Sequence, residues 1–214
     1  MYDNMLGKLI KLIVTVPAEW LGTLVDLVEK LCGEEGLKWL TALKRFLRKE
    51  DAWVVYKWQV WKKILLGTGL QNADDFRSAI HRSGCEIVKW ADVFLKSPTF
   101  SAKKVSTVLE LVKVRVEELG FAKSTTYSQI CDRATELGLN ICPCEAVPQL
   151  RLQYLYQPSH EWIVVATEPL ITSGGYLILS GVSSYSEGKL QLGGVHVHKD
   201  YLWDIDAMFV FTRK

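Results

Sequence analysis

The chain has 214 residues, of which 49% are hydrophobic and 23% are charged, and this balance excludes a wholly disordered protein. Its 26 Lys and Arg against 24 Asp and Glu leave a net charge of only +2, which excludes a protein that relies on bulk charge to bind phosphate backbones. A chain of this length forms one large domain, or a core domain with a small appendage.

The first predicted element is an apolar segment, Met5 to Val16, which Lys8 and Lys11 interrupt. It is shorter than the roughly 18 to 20 uncharged residues that span a bilayer, and it lacks the basic start of a signal peptide. With Thr15, the two lysines form a polar stripe of the kind found on helices at membrane surfaces. We favour packing of this segment on its own domain or on a partner over membrane contact by residues 5–16.

Two predicted helices follow this segment. Apolar residues recur at helical spacing from Leu21 to Cys32, after Pro17, which suits a first helical turn. The run from Leu37 to Leu47 has the same periodicity and a basic last turn that complements the helix dipole. We therefore predict a helical N-terminal segment over residues 1–52 and a larger domain over residues 53–214.

The larger domain is predicted to begin with a strand, because apolar and polar residues alternate from Val54 to Val60. The alternation slips at Trp61, so we expect a bulge or bend there and a further strand at Ile64 to Leu66. A helix is the alternative for this segment, but its content of Val, Trp and Tyr favours the strand.

Turn and capping residues then predict two short helices. Gly67-Thr-Gly69 turns the chain, and Asn72 caps a helix that Ser83-Gly84 ends. A second helix covers Ile87 to Leu95 and stops before Pro98.

The segment from Val105 to Leu119 fits both a helix and a strand, and its density of valine favours the strand. Thr125 to Leu139 is predicted to be a helix, and beyond Ile141 we expect only strands. These candidate strands are 149–156, Trp162 to Thr167, Tyr176 to Leu179, Leu190 to Leu192 and Met208 to Phe211. The predicted fold class is α+β, with a helical N-terminal segment before a domain whose later half is mainly antiparallel sheet.

No pattern in the sequence predicts a catalytic residue, a cofactor or a metal. The turn Gly67-Thr-Gly69 has the context of a phosphate-binding loop, but it lacks the third glycine and two acidic residues follow it. Cys142-Pro-Cys144, together with Cys131, raises the possibility of a zinc site. Only one residue separates Cys142 from Cys144, whereas the paired cysteines of structural zinc sites are separated by two to four residues. His196 and His198 would share one face of a strand without a further ligand pattern. We therefore favour the interpretation that this protein is not an enzyme.

The cysteines indicate a cellular compartment. There are five, an odd number, and they are spread thinly along the chain. Such a distribution is typical of reduced thiols in a cytoplasmic protein and not of a secreted disulfide scaffold.

A basic, Trp-rich region over residues 53–124 raises the alternative of nucleic-acid binding. It carries 12 basic and seven acidic side chains, and Trp53, Trp58 and Trp61 lie close to lysines. Aromatic rings and cations together can bind single-stranded nucleic acid. The other interpretation is that the tryptophans lie in the core and the lysines at its rim.

The predicted recognition surface is a polar strand face at Gln149, Arg151 and Gln153. Residues 149–156 and 161–168 are predicted to form a β-hairpin. Within that hairpin Glu168 lies in diagonal reach of Arg151, whose guanidinium, held between two amides, could receive a carboxylate. The alternative is a solvated sheet face with a surface ion pair. The predicted partner-binding residues are Gln149, Arg151, Gln153, Glu161, Trp162 and Glu168.

Residues 61–214 resemble a family of uncharacterised bacterial proteins. The motifs that carry the resemblance are Trp61-Lys-Lys-Ile-Leu-Leu-Gly-Thr-Gly-Leu70, Ala73-Asp-Asp-Phe-Arg77, Trp90-Ala-Asp92, Glu118-Leu-Gly-Phe121, Pro148-Gln-Leu-Arg-Leu-Gln-Tyr154, Gln157-Pro158 and Glu161-Trp162. The resemblance implies a bacterial, intracellular origin and no particular chemistry. We therefore expect a non-enzymatic binding module that uses the hairpin around 149–168 to contact a protein partner; the sequence indicates no oligomeric state.

Overall fold

The structure, a computed structural model, describes residues 7–8, 11, 14–48, 58–172, 174–185 and 188–213. The chain divides into two compact units, Met1–Val54 and Val55–Lys214. Most of the predicted segment 5–16, and residues 54–57 of the first predicted strand, lie outside the described residues.

The first unit contains the two predicted helices, α1 (Leu21–Cys32) and α2 (Gly36–Leu47). Both predictions are confirmed, because each helix has apolar residues along one side at helical spacing. The helices contact one another, and the ammonium of Lys30 lies 5.8 Å from the ring centroid of Trp39.

The second unit consists of four helices and eleven strands in its described residues. The helices are α3 (Ala73–Arg82), α4 (Lys89–Leu95), α5 (Tyr127–Glu136) and α6 (Ala146–Gln153). The strands are β1 (Lys62–Leu66), β2 (Glu86–Ile87), β3 (Thr107–Arg115), β4 (Thr125–Thr126), β5 (Leu139–Asn140), β6 (Trp162–Val165), β7 (Leu170–Ile171), β8 (Tyr176–Ser184), β9 (Leu190–His198), β10 (Leu202–Trp203) and β11 (Met208–Arg213).

One large sheet organises this unit, with the strand order β1-β3-β11-β6-β8-β9-β2. Strand β5 pairs with β11, β7 pairs with β8, and β4 and β10 form a separate small sheet. The pairings are antiparallel except for β6 with β11 and β2 with β9. The α+β class with a mainly antiparallel sheet is therefore confirmed.

The sheet separates two apolar layers. Alternate residues of a strand point to opposite faces, so Leu111 joins the layer covered by α3, α4 and α6, and Val112 joins the layer covered by α5. Phe76 and Leu150 are buried on the first side, and Ile130 is buried on the second. Because both faces are covered, the central strands are apolar on both sides.

Several local predictions are confirmed. The Asn72 side chain accepts hydrogen bonds from the N–H groups of Asp74 and Asp75 and so caps α3. The segment from Val105 to Leu119, whose sequence fits both a helix and a strand, contains the strand β3. A short 3-10 helix follows it at Glu117–Leu119. Residues 58–60 are not in a strand, contrary to prediction, and the first strand begins at Lys62.

The predicted strand over 149–156 is wrong, because Ala146–Gln153 forms helix α6. Pro148 stands in the first turn, where a missing N–H leaves no helical hydrogen bond unmade. Alternation of polar and apolar residues predicts a strand whose polar side faces water. Here the polar Gln149 and Arg151 are as buried as the apolar Leu150 between them. Because apolar and polar side chains alike are buried around this helix, it lacks the one-sided pattern by which a helix is recognised.

Among the described residues, no helix is long and apolar enough to cross a membrane.

Two glycines face each other where β8 and β9 pair, and they differ in what surrounds them. A Cβ on Gly181 would lie 2.0 Å from the backbone oxygen of Ile163, whereas one on Gly193 would lie 2.1 Å from a ring carbon of Trp162. We expect Gly181→Ala to lower the free energy of unfolding by about 3 kcal/mol, because the backbone must move. Gly193→Ala should cost about 1 kcal/mol, because a side chain can shift. Chemical denaturation measures both, and equal losses would contradict this account.

Candidate functional site

The predicted recognition hairpin does not exist in the structure. Strand β6 pairs with β8 and β11 and not with residues 149–156, which lie in and after α6. Arg151 is fully buried and Glu168 is exposed, with no ion pair between them. The six predicted residues therefore do not form one surface.

The side chains of Glu145, Gln149 and Gln153 instead form a polar row along α6, since residues four apart share a helix face. The Gln153 amide donates to the carbonyl oxygen of Leu65 and accepts from its N–H, both at 2.9 Å. Gln149 donates to Glu145 at 3.1 Å and accepts from Gln153 at 3.0 Å. Leu65 lies in the edge strand β1, so the row covers an edge that would otherwise offer free backbone groups.

The carboxylate of Glu145 binds at the turn Gly67-Thr-Gly69, whose sequence context is that of a phosphate-binding loop. Its oxygens accept from the N–H of Gly67 at 2.7 Å and from the N–H of Lys103 at 2.8 Å. The turn therefore binds an anion from its own chain, which leaves the N–H of Gly67 unavailable to a phosphate.

Arg151 lies on another side of α6 and holds three parts of the chain together. Its guanidinium donates to the carbonyls of Tyr154, Ser183 (3.3 Å) and Gln191 (3.5 Å), and to the amide oxygen of Gln157 at 2.6 Å. Burial lowers the pKa of Arg151 from its ordinary value. Because its contacts are internal, this residue is structural and cannot meet a partner.

We expect Arg151→Leu to lower the free energy of unfolding by about 3 kcal/mol, because the buried carbonyls lose their donors and each hydrogen bond to a charged group contributes roughly 1.5 to 3 kcal/mol. The matched control is Arg82→Leu, at an exposed position in α3, which should change stability by less than about 0.5 kcal/mol. Urea denaturation compares them, and similar losses for both would contradict the role of Arg151.

Glu161 and Trp162 are both half-buried, and they have internal partners. Glu161 accepts from the ammonium of Lys113 at 2.9 Å and from the hydroxyl of Tyr154 at 3.0 Å. Burial, followed by the neighbouring carboxylate, raises the pKa of Tyr154 to about 12. Trp162 packs against the backbone at Gly193.

The basic, Trp-rich region has part of its charge neutralised by its own chain. Besides Lys113, Lys63 is paired with Glu110 at 2.8 Å. Trp58 donates its indole N–H to the carbonyl of Leu137 at 3.0 Å and packs against the layer under α5. This favours the interpretation in which tryptophans pack against the core.

The histidines and cysteines do not assemble into a metal site. His196 is stacked between the rings of Trp90 and Tyr176, at 4.2 and 4.7 Å between centroids. His198 lies 3.3 Å from a carboxylate oxygen of Asp200. In the described part of the chain, no three His, Cys, Asp or Glu residues lie close enough together to hold a metal ion.

Burial sets the reactivity of two of the thiols. It raises the pKa of Cys131 to about 12 and also raises the pKa of Cys142, whereas Cys32 is exposed. We expect iodoacetamide at pH 8 to label Cys32 and to leave Cys131 and Cys142 unmodified, because the thiolate is the nucleophile. Peptide mass spectrometry measures the labelling, and denatured protein, in which all five react, is the control. Labelling of Cys131 as fast as Cys32 in the native protein would contradict the burial.

A groove opens where the large sheet splits. Strand β6 ends at Val165, and beyond it β5 takes the place beside β11 while β7 stays beside β8. Tyr127 fixes the bend between β6 and β7, because its hydroxyl donates to the carbonyl of Thr167 at 2.6 Å and accepts from its N–H at 2.9 Å. The chain thus turns away from β11 at a fixed point, and the gap forms there.

This split-sheet groove is lined by residues of three segments, 93–100, 142–144 and 168–172, together with Ile178, and has a volume of about 950 Å³. Such a volume is in the range of ligand pockets. The lining is mainly aliphatic, aromatic and proline side chains, with Lys96, Cys144 and Glu168 among its few polar groups. Of the six predicted site residues, only Glu168 lies here.

Sequence reasoning missed the groove, although three prolines mark its segments. Pro98 follows α4, Pro143 precedes α6 and Pro169 precedes β7. Each proline lies between two elements, where the backbone hydrogen bond that it cannot donate is not needed. That signal indicates loops but does not show that the three loops meet.

Comparison with known proteins gives no functional assignment. The chain matches no protein-family model, no curated protein and no solved structure.

Proposed function

We propose that this chain is a non-enzymatic binding module whose split-sheet groove receives an apolar, positively charged segment of a partner protein. The observation that supports this is an open, mainly apolar groove with a carboxylate at its rim. Exposed apolar surface of this kind marks interaction sites. The side chain of Ile171 is 73% exposed in the edge strand β7 and offers apolar contact to a partner.

The charges at the groove determine which charge on the partner segment fits best. Lys96 also lines the groove, but its ammonium is bound to Asp92 at 2.7 Å. Glu168 is exposed and has no ion-pair partner among the residues that the structure describes. The free charge at the rim is therefore negative, so a Lys or Arg beside the apolar residues of the partner fits best.

The test is selection from a displayed library of random twelve-residue peptides, followed by affinity measurement. We expect selected peptides to combine apolar residues with Lys or Arg. Glu168→Gln should weaken their binding about tenfold, and Ile171→Asp should abolish it. Both side chains are exposed, so these variants should fold. The matched control is Asp206→Asn, an exposed carboxylate outside the groove.

Bound peptide should also slow the alkylation of Cys144, which lines the groove and is half-buried. A library that yields no binders would contradict the proposal. Peptides that bind Glu168→Gln and Ile171→Asp as well as the native chain would contradict the groove as the site.

Nucleic-acid binding is the second candidate function, and one arrangement favours it. The ammonium of Lys62 lies 4.9 Å from the ring centroid of Tyr154 and 5.9 Å from that of Trp61, with no ion-pair partner among the residues described. Retention on single-stranded DNA that falls steeply with salt and is lost in Lys62→Gln would support this candidate.

The proposed module acts in the cytoplasm of a bacterial cell. The support for the compartment is that all five cysteines are free thiols. The support for the origin is the resemblance carried by residues 61–214.

A further inference from the structure

Helices α1 and α2 each expose an apolar stripe beside the face on which they contact one another. In α1 the residues Leu24, Leu27 and Leu31 are half-buried. The exposed large apolar side chains of the two helices are Leu21, Val25 and Val28 in α1 and Leu37, Leu40, Phe46 and Leu47 in α2. Val28 is 57% exposed and Leu47 is 70% exposed, so both stripes are open.

Such a pair of helices is not a stable arrangement in water. Each has 12 residues, and isolated helices of about that length are marginal unless an apolar face is packed. Contiguous exposed apolar surface on a soluble protein marks a site of association. The two stripes therefore require an occupant.

The charges beside the stripes identify the occupant. Glu29 lies one turn after Val25 and so borders the stripe of α1, and Lys44 lies one turn after Leu40 and so borders the stripe of α2. Neither Glu29 nor Lys44 has an ion-pair partner among the residues that the structure describes. One stripe thus has an acidic border and the other a basic border.

These borders are complementary to each other. If α1 of one copy lies on α2 of another, a two-fold axis brings Glu29 beside Lys44 twice and joins the apolar stripes. An anionic lipid surface fits less well, because residues 1–52 contain eight basic and eight acidic side chains and so carry no net charge. We propose that α1 and α2 dimerise the protein by forming a four-helix assembly with the same helices of a second copy.

Charge exchange in the full chain tests this proposal by sedimentation equilibrium. Glu29→Lys and Lys44→Glu should each raise the dimer dissociation constant about tenfold, because each places like charges together twice. The double variant should restore it, since the signs are merely exchanged. An equimolar mixture of the two single variants should also dimerise, because each supplies the charge that the other lacks.

Rescue in the mixture distinguishes association between copies from contacts within one chain. A stripe covered by other parts of the same chain gives no rescue by mixing, and that result overturns the proposal. Val28→Asp, at an exposed apolar position, should yield a monomer of unchanged helical content by circular dichroism.

A native chain that stays monomeric at 100 µM, or single variants that dimerise as well as the native chain, would also overturn it. Binding of the monomeric native chain to phosphatidylglycerol vesicles would then identify a lipid surface as the occupant.

Discussion

The guanidinium of Arg151 lies in the interior and binds main-chain carbonyls from the end of α6, from β8 and from β9. On another side of the same helix, Glu145, Gln149 and Gln153 satisfy the backbone of β1 and of the turn that follows it. A short helix thus links both ends of the sheet through hydrogen bonds and not only through apolar packing. Buried backbone groups without partners are costly, so the arrangement of these strands depends on the side chains of this helix.

That constraint explains why the run from Pro148 to Tyr154 does not form the predicted recognition surface. The run from Pro148 to Tyr154 carries polar residues because the backbone around it needs donors and acceptors. The groove that we propose as the binding site lies elsewhere, beside the bend that Tyr127 holds through Thr167. Burial raises the pKa of Tyr127 well above its ordinary value, so the phenol keeps the proton that it donates. The groove lies directly after this bend, since Glu168 and Pro169 line it.

The two units have different kinds of surface. The larger unit has two covered faces and a groove with a carboxylate at its rim, which suits recognition of a partner segment. The helical pair has open apolar stripes with opposite charges at their borders, which suits association with an identical surface. A dimer formed as proposed by the helical pair would contain two copies of the proposed groove.

The amino-acid sequence alone determined the helices α1 to α5, the cap at Asn72, the strand β3 and the α+β class, because each depends on local periodicity or on contacts between neighbouring residues. It misplaced α6, because alternation of polar and apolar residues predicts a strand only where polar residues face water. Here Gln149 and Arg151 are buried on partners more than 30 residues distant, Thr68 for one and Ser183 for the other. The groove likewise arises where segments at 93–100, 142–144 and 168–172 meet. Only the tertiary structure decided these features, because hydrogen bonds and cavities between distant segments leave no periodic signal in a single chain.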